Sequence, residues 1–214
     1  ACEDALGLVP TGELARARTI LLELERMWSH LNDIAAVCAG TGLAAGNASF
    51  AALTERARRL NAELTGHRFL FGSVCVRGSA LTLGREQIRA ARAEVAALQT
   101  ESARSWRELL FNASFQDRLP DIGVVDAADA KRLGAVGPAA RASGLAEDAR
   151  AGSRLLSYEG HEPVVPRRAA GDVRARVEQR APELLQTFAL PTRLPHSPPE
   201  PRGAEPGGEQ PRPA

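Results

Sequence analysis

The sequence predicts a mainly α protein with one short extended segment and a disordered C-terminal tail. Three observations carry that expectation. Apolar residues recur at alternating steps of three and four over long stretches. Hydrophobic and charged residues make up 44% and 25% of the 214 residues, enough apolar content for one ordinary core. Proline, finally, crowds the end of the chain. No run approaches the ~20 consecutive apolar residues that a membrane-spanning helix needs.

The first helix is expected from Thr11 to about Val37. Leu14, Ala17, Leu21, Leu24, Trp28, Leu31 and Ala35 mark one face, and Ile20, Met27 and Ile34 widen it to the broad stripe of a helix packed in a globular core. Roughly opposite stand Arg16, Thr19, Glu23, Arg26, His30 and Asp33. By spacing alone this is a solvated face, with Glu23–Arg26 and His30–Asp33 as local ion pairs. A glycine-bearing break over residues 40–47 leads to a second amphipathic helix on Phe50, Leu53, Ala57, Leu60 and Leu64, ended by Gly66. Phe69 to Val76 is rich in Phe and Val and reads as a short strand. A third helix spans about 83–110, with Ile88, Ala91, Val95, Leu98, Trp106 and Leu109 inward. Asp126 is placed to cap a short helix that stops at Gly134, and Gly134 to Pro138 is a turn. The last helix starts at Asp172 and continues through Val173, Val177 and Leu184, with Pro182 expected to kink or end it. Beyond Leu190 the composition turns to proline and glycine, with no large apolar residue after Leu194. Such a segment cannot bury enough surface to offset its ordering entropy. The expected organisation is therefore a helical domain at 1–190 and a disordered Pro/Gly-rich tail at 191–214.

Composition excludes several functions. Basic residues number 27 and acidic ones 26, and a net charge of +1 argues against nucleic acid as a partner. Cys2, Cys38 and Cys75 are too widely spaced for a disulfide framework or a CxxC site, and are expected to be buried small hydrophobes. His30, His67, His161 and His196 lack the paired spacing of a zinc site, and no HExxH, GxSxG or Walker sequence occurs. The chain opens on Ala1 and its single Met is Met27, as expected for a piece of a longer or processed polypeptide. The densest polar constellation is Arg141, Ser143, Gly144, Glu147, Asp148 and Arg150, followed by Tyr158. Buried together, these residues could form bidentate carboxylate–guanidinium pairs; exposed, they are a charged loop.

The same residues carry a resemblance. Gly137 to Leu145, with Asp148 and Arg150, resembles the G-P-x-x-R-A-S-G signature of large subunits of membrane-bound, formate-hydrogenlyase-type nickel-iron hydrogenases and of their relative, the D-type subunit of NADH-quinone oxidoreductase (respiratory complex I). Glu3 to Pro10 resembles the family's element that opens on E-x-x-L-G and closes on V-P. Arg18, Glu23, Arg26 and His30 fall at the spacing of its R-x(4)-E-x-x-R-x(3)-H helix. Thr65 to Arg68 is similar to its T-G-x-R turn, Ile122 to Val125 to its G-I-G-V-V stretch, and Gly171, Asp172, Arg176, Arg180 and Glu183 to its G-D-x-x-x-R-x-x-x-R-x-x-E helix. The matches keep their order from Glu3 to Leu190.

The resemblance implies the antiparallel helical bundle core of a hydrogenase-like large subunit, with short peripheral β segments. It implies a subunit of an oxidoreductase complex, helping to form a quinone or nickel-iron cavity beside an iron–sulfur cluster. NAD and iron–sulfur clusters would reside in partner subunits, among them an iron–sulfur small subunit. The chain itself would hold no cofactor and no metal, and would be inactive alone because both Cys pairs of the hydrogenases are absent. Its implied location is the cytoplasmic side of the bacterial inner membrane, held there by partners. Arg68, Arg141, Asp148 and Arg150 become candidates for the cavity or its surroundings, and Glu23, Arg26 and His30 for a network that orients helices. Three departures stand against activity: Gly40 where many members carry an acid, Val76-Arg77-Gly78 in place of a P-G-G turn, and missing final elements. They favour the alternative of a non-catalytic truncated remnant or helical assembly module.

Overall fold

The computed structural model describes residues 2–81, 84–151, 153, 155–158 and 163–189. The expected tail and Leu83, the expected start of the third helix, lie outside the described residues. Four long helices form the body: α2 (Gly12–Gly40), α3 (Ala44–Thr65), α4 (Arg85–Leu110) and α8 (Val173–Ala189). Short helices α1 (Cys2–Ala5), α5 (Ala113–Gln116), α6 (Ala127–Arg132) and α7 (Gly137–Ala142) line the connections, and β1 (Val74–Cys75) pairs antiparallel with β2 (Gly78–Ser79).

Side-chain pairings fix the helix directions. Only Thr41 to Leu43 separate α2 from α3, which must therefore run back along it. Arg56 of α3 reaches Glu94 and Glu101 of α4, while Gly46, at the start of α3, meets Leu109 at the end of α4. Along α2 and α8, Asp33 pairs with Arg180 and Glu23 with Thr187, so residue numbers fall on one helix as they rise on the other. The bundle is antiparallel throughout. Its core is the stripe expected on α2, with Leu24, Met27, Leu31 and Ile34 fully buried against Phe50, Leu60, Leu98 and Phe188. Burying each such side chain contributes about 1.5–3 kcal/mol.

Thr11 caps α2 by accepting from the Leu14 amide, Gly66 closes α3 in a left-handed conformation, and Asp126 caps α6 through the Asp129 amide. Other expectations need correction. The break after α2 is shorter than residues 40–47, because Gly46 lies inside α3. A Cβ there would stand 3.0 Å from Cys38 Sγ and from a Leu109 methyl, so this glycine serves close helix approach rather than a turn. Phe69 to Val76 forms turns and a two-residue strand instead of a continuous strand. Pro182 does not end α8, which runs on to Ala189 with Glu183, Leu184, Thr187 and Phe188 buried. Those contacts outweigh the ~3 kcal/mol cost of an interior proline. Of the cysteines only Cys38 is buried; Cys2 and Cys75 are exposed because α1 and the β1–β2 hairpin lie on the periphery, and all three are free.

Candidate functional site

The second face of α2 is not solvated. Glu23 is 0% exposed and His30 4%, because α8 and the irregular segment after α7 cover them. Three strands of connectivity set that cover. Gly171 precedes α8 at φ +66, and a Cβ there would fall 2.0 Å from the Val125 carbonyl oxygen, so only glycine admits this crossing. Asp172 accepts from the amides of Ala175 and Asp121, fixing the start of α8. The amides of Arg168 and Gly171 donate to the carbonyls of Arg141 and Ala142, tying α7 to the approach of α8.

Glu23 and Glu183 are the two centres of the buried network. Glu23 Oε1 accepts from Arg150 Nη1 (3.1 Å) and the Tyr158 hydroxyl (2.9 Å), and its Oε2 from Arg26 Nη1 (2.6 Å) and Thr187 Oγ1 (3.1 Å). Glu183 receives a two-pronged donation from Arg141 Nε and Nη2 at 2.6 and 2.7 Å, with Gln179 Nε2 at 2.7 Å and Arg26 Nη2 at 3.3 Å. Asp148 accepts from Arg150 Nε and Nη2, and lies 3.8 Å from Arg141 Nη1. Three carboxylates, Glu23, Asp148 and Glu183, thus face three guanidiniums, Arg26, Arg141 and Arg150. Balanced pairing with satisfied hydrogen bonds is what permits ions in such a place, since an isolated buried charge costs several kcal/mol.

Protonation states follow from these contacts. Burial pushes Glu183 and Asp148 up, but hydrogen bonds from Arg141 and Gln179 to the first and from Arg150 to the second hold both below the usual carboxylate range. Burial, seconded by the Arg26 charge, drives His30 down to about 3, so the imidazole is neutral near pH 7. Its Nε2 stands 3.4 Å from Glu183 Oε2 without hydrogen-bond geometry. Burial and the Glu23 carboxylate raise Tyr158 well above the ordinary phenol range, leaving it a neutral donor.

Above the network opens a cleft of about 760 Å³ between α2 and residues 136–150. Leu22, Val136 and Pro138 supply apolar wall, while His30, Arg141, Asp148, Arg150 and Glu183 supply polar lining. That volume and mixture suit a ligand with an apolar body and one polar end.

Six of the seven candidate residues from the sequence meet here: Glu23, Arg26, His30, Arg141, Asp148 and Arg150. Of the constellation around Arg141, Arg141, Ser143, Arg150 and Tyr158 are buried and Arg150 grips Asp148 with two prongs, whereas Glu147 is exposed and joins only through its carbonyl, which accepts from Arg141 Nη1. Arg68 is elsewhere: its guanidinium grips the Glu55 carboxylate in a two-pronged pair on the exposed side of α3. Of the two local pairs expected on α2, Glu23–Arg26 forms, whereas Asp33 takes Arg180 at 2.7 Å instead of His30. Glu183 is a site residue beyond those expected, although Gln179, Glu183 and Thr187 stand four apart on one face of α8 and signal a polar stripe.

A nickel-iron centre does not fit these residues. No cysteine lines the cleft, so the soft thiolates that such a centre requires are missing there. Among the described residues no group of three or more His, Cys, Asp or Glu is arranged to hold a metal ion.

Known proteins are similar to this chain in sequence and in architecture. A family model described as respiratory-chain NADH dehydrogenase, 49 kDa subunit, matches residues 42–200. Formate hydrogenlyase subunit 5 of Escherichia coli is 30% identical over 189 residues, covering 88% of this chain and 33% of that protein. A D-type subunit of NADH-quinone oxidoreductase from Chloroherpeton thalassium is 32% identical over 174 residues, covering 81% of this chain and 39% of its own length. The chain therefore spans well under half of these relatives. Among solved structures, a chain of the membrane-bound sulfane sulfur reductase, an archaeal respiratory membrane complex, superposes with a TM-score of 0.65 at 26% identity. That superposition covers 91% of this chain and 55% of the other.

Proposed function

Because the chain belongs to the family of the 49 kDa subunit of respiratory-chain NADH dehydrogenase, we propose that it works as a subunit of a membrane-associated redox complex of the NADH-quinone oxidoreductase or hydrogenase class. Its part is the cleft between α2 and residues 136–150, beside an iron–sulfur cluster held by a partner subunit. The observation that carries this reading is the charge-balanced network of Glu23, Arg26, Arg141, Asp148, Arg150 and Glu183 directly beneath that cleft. Of the two kinds of ligand, the quinone type suits the mixed apolar and polar lining of this cleft. The apolar walls would hold a ring, and fixed polar groups on the inner side would orient its oxygens.

In this role the network positions rather than reacts. Glu23 joins α2 to α8 and to the segment carrying Arg150 and Tyr158, and Glu183 joins α8 to α7 through Arg141. Redox cofactors in partner subunits would carry the electrons. Among the described residues no helix is long and apolar enough to cross a membrane; the proposed attachment is through partner subunits, on the cytoplasmic face.

A second reading, a non-catalytic remnant or assembly module, draws on Gly40. This residue stands at the exposed end of α2 with nothing within 4 Å of a built Cβ, so packing does not demand a glycine where relatives of the resembled family carry an acid. Affinity purification of the tagged chain from its native membranes separates the two. The redox reading expects an iron–sulfur protein and quinone-dependent turnover to copurify, with turnover reduced by Arg141→Ala. A chain that purifies without such a partner, and whose deletion leaves membrane redox activity unchanged, overturns it.

A further inference from the structure

The turn that follows α3 is built on a histidine ring. His67 Nδ1 accepts from the amides of both Phe69 and Phe71, at 3.1 and 3.3 Å, and the ring stacks on Phe71 at 4.7 Å and 25°. Two acceptances at one nitrogen require a lone pair there, hence an imidazole whose Nδ1 carries no proton. The backbone needs this support, because Leu70 between the two phenylalanines sits at φ +61, an unfavourable conformation for a bulky side chain. The turn in turn presents Phe71, 73% exposed, next to Val74 and Val76, 58% and 50% exposed.

We propose that His67 is a pH-sensitive keystone: neutral, it holds the Phe69–Phe71 turn and its exposed apolar surface in one shape, and on protonation it releases them. An added Nδ1 proton would point at two N–H groups, turning two hydrogen bonds into two donor–donor contacts. The charged groups around the turn belong to α3 and to the turn itself, and each has a partner of its own. From α3 come Arg58, which lies over the Trp28 and Phe69 rings at 4.7 and 5.0 Å, and Arg59; from the turn itself comes Arg68. Glu55 is engaged by Arg59 and Arg68, and α2 contributes Trp28 and Asn32, neither of which titrates. The Thr65 hydroxyl and the Asn61 side chain, which donates to the Arg68 carbonyl, hold the base of the turn, so release is confined to residues 69–72.

Position-resolved amide exchange by NMR on the full chain tests this, with rates corrected for the intrinsic effect of pH. Between about pH 8 and about pH 5, where histidine changes charge, protection of the Phe69 and Phe71 amides should fall on the order of tenfold, the worth of one net hydrogen bond. The midpoint should coincide with that of the His67 ring resonances, while an α3 amide such as Leu60 stays protected. His67→Asn places a non-titrating oxygen where Nδ1 stood, and should keep both amides protected at either pH. Protection that persists while the His67 ring protonates overturns the proposal, as does an equal loss in His67→Asn. If that variant fails to form the turn, the coincidence of midpoints in the unsubstituted chain decides alone.

Discussion

The two faces of α2 are buried by different physics. Toward α3, with Leu98 of α4 and Phe188 of α8 closing the same cluster, Leu24, Met27, Leu31 and Ile34 meet other apolar side chains, and stability there scales with area and packing. Toward α8 and the segment after α7, Glu23, Arg26 and His30 meet ions and hydroxyls, and stability depends on whether each partner is present. The first face should tolerate residues of similar shape, whereas the second should lose stability with the removal of any single ion. A helix can thus anchor a core and align a polar site at once, provided its second face is matched charge for charge.

The sharpest way to break the comparison is to remove one ion from the second face. Glu183→Ala strands Arg141 and Gln179 without their acceptor, and should cost about 3–5 kcal/mol in urea unfolding. On the apolar face Leu31→Ala should cost about 2–5 kcal/mol through lost transfer and cavity terms, while the volume-conserving Met27→Leu should stay under about 1.5 kcal/mol. No comparably gentle replacement exists for Glu23 or Glu183. Tyr158→Phe, which deletes one hydrogen bond to the buried Glu23 carboxylate, should cost about 1.5–3 kcal/mol. The smallest effect belongs to the half-exposed clamp of Arg56 on Glu94 and Glu101, where Arg56→Ala should cost under about 1 kcal/mol and less still in high salt.

Acid should discriminate the faces as well. His30 is held far below its ordinary 6.5, at about 3, so the unfolded chain takes up this proton first and stability should fall as pH drops from about 6.5 toward 3. Glu183 and Asp148 are also held low, and what they contribute is present above the ordinary carboxylate range and lost as pH falls through it. All three therefore weaken the polar face on acidification, while the one titratable group in the apolar cluster, the Cys38 thiol, is pushed up by burial and takes no part in acid. In His30→Gln the part of the slope above the carboxylate range should disappear from a pH series of urea midpoints.

Much of the apolar face was legible in sequence, because a helical period needs only residue identity and spacing: the buried set of α2, α3 and α4 follows the steps of three and four closely. Local chemistry was legible too at Gly66 and Asp126, whose roles depend on a few neighbouring residues. The polar face was not legible by spacing alone, because Glu23 is paired with Arg150, Tyr158 and Thr187, all more than a hundred residues away in the chain. A charged stripe looks the same whether water or another helix faces it. Resemblance to a family pointed inward where periodicity pointed outward. It also nominated Arg68, whose nearest carboxylate, Glu55, is a matter of three-dimensional proximity. Gly46 misled for a related reason: close helix approach and chain reversal both select glycine.

The most direct measurement is a double-mutant cycle on Arg141 and Glu183, read by urea unfolding. If the second face is held by mutual satisfaction of buried charges, Arg141→Met and Glu183→Leu should each be strongly destabilising, and the double variant should lose no more than either single one. Losses that simply add would contradict a paired, charge-balanced network beneath the cleft.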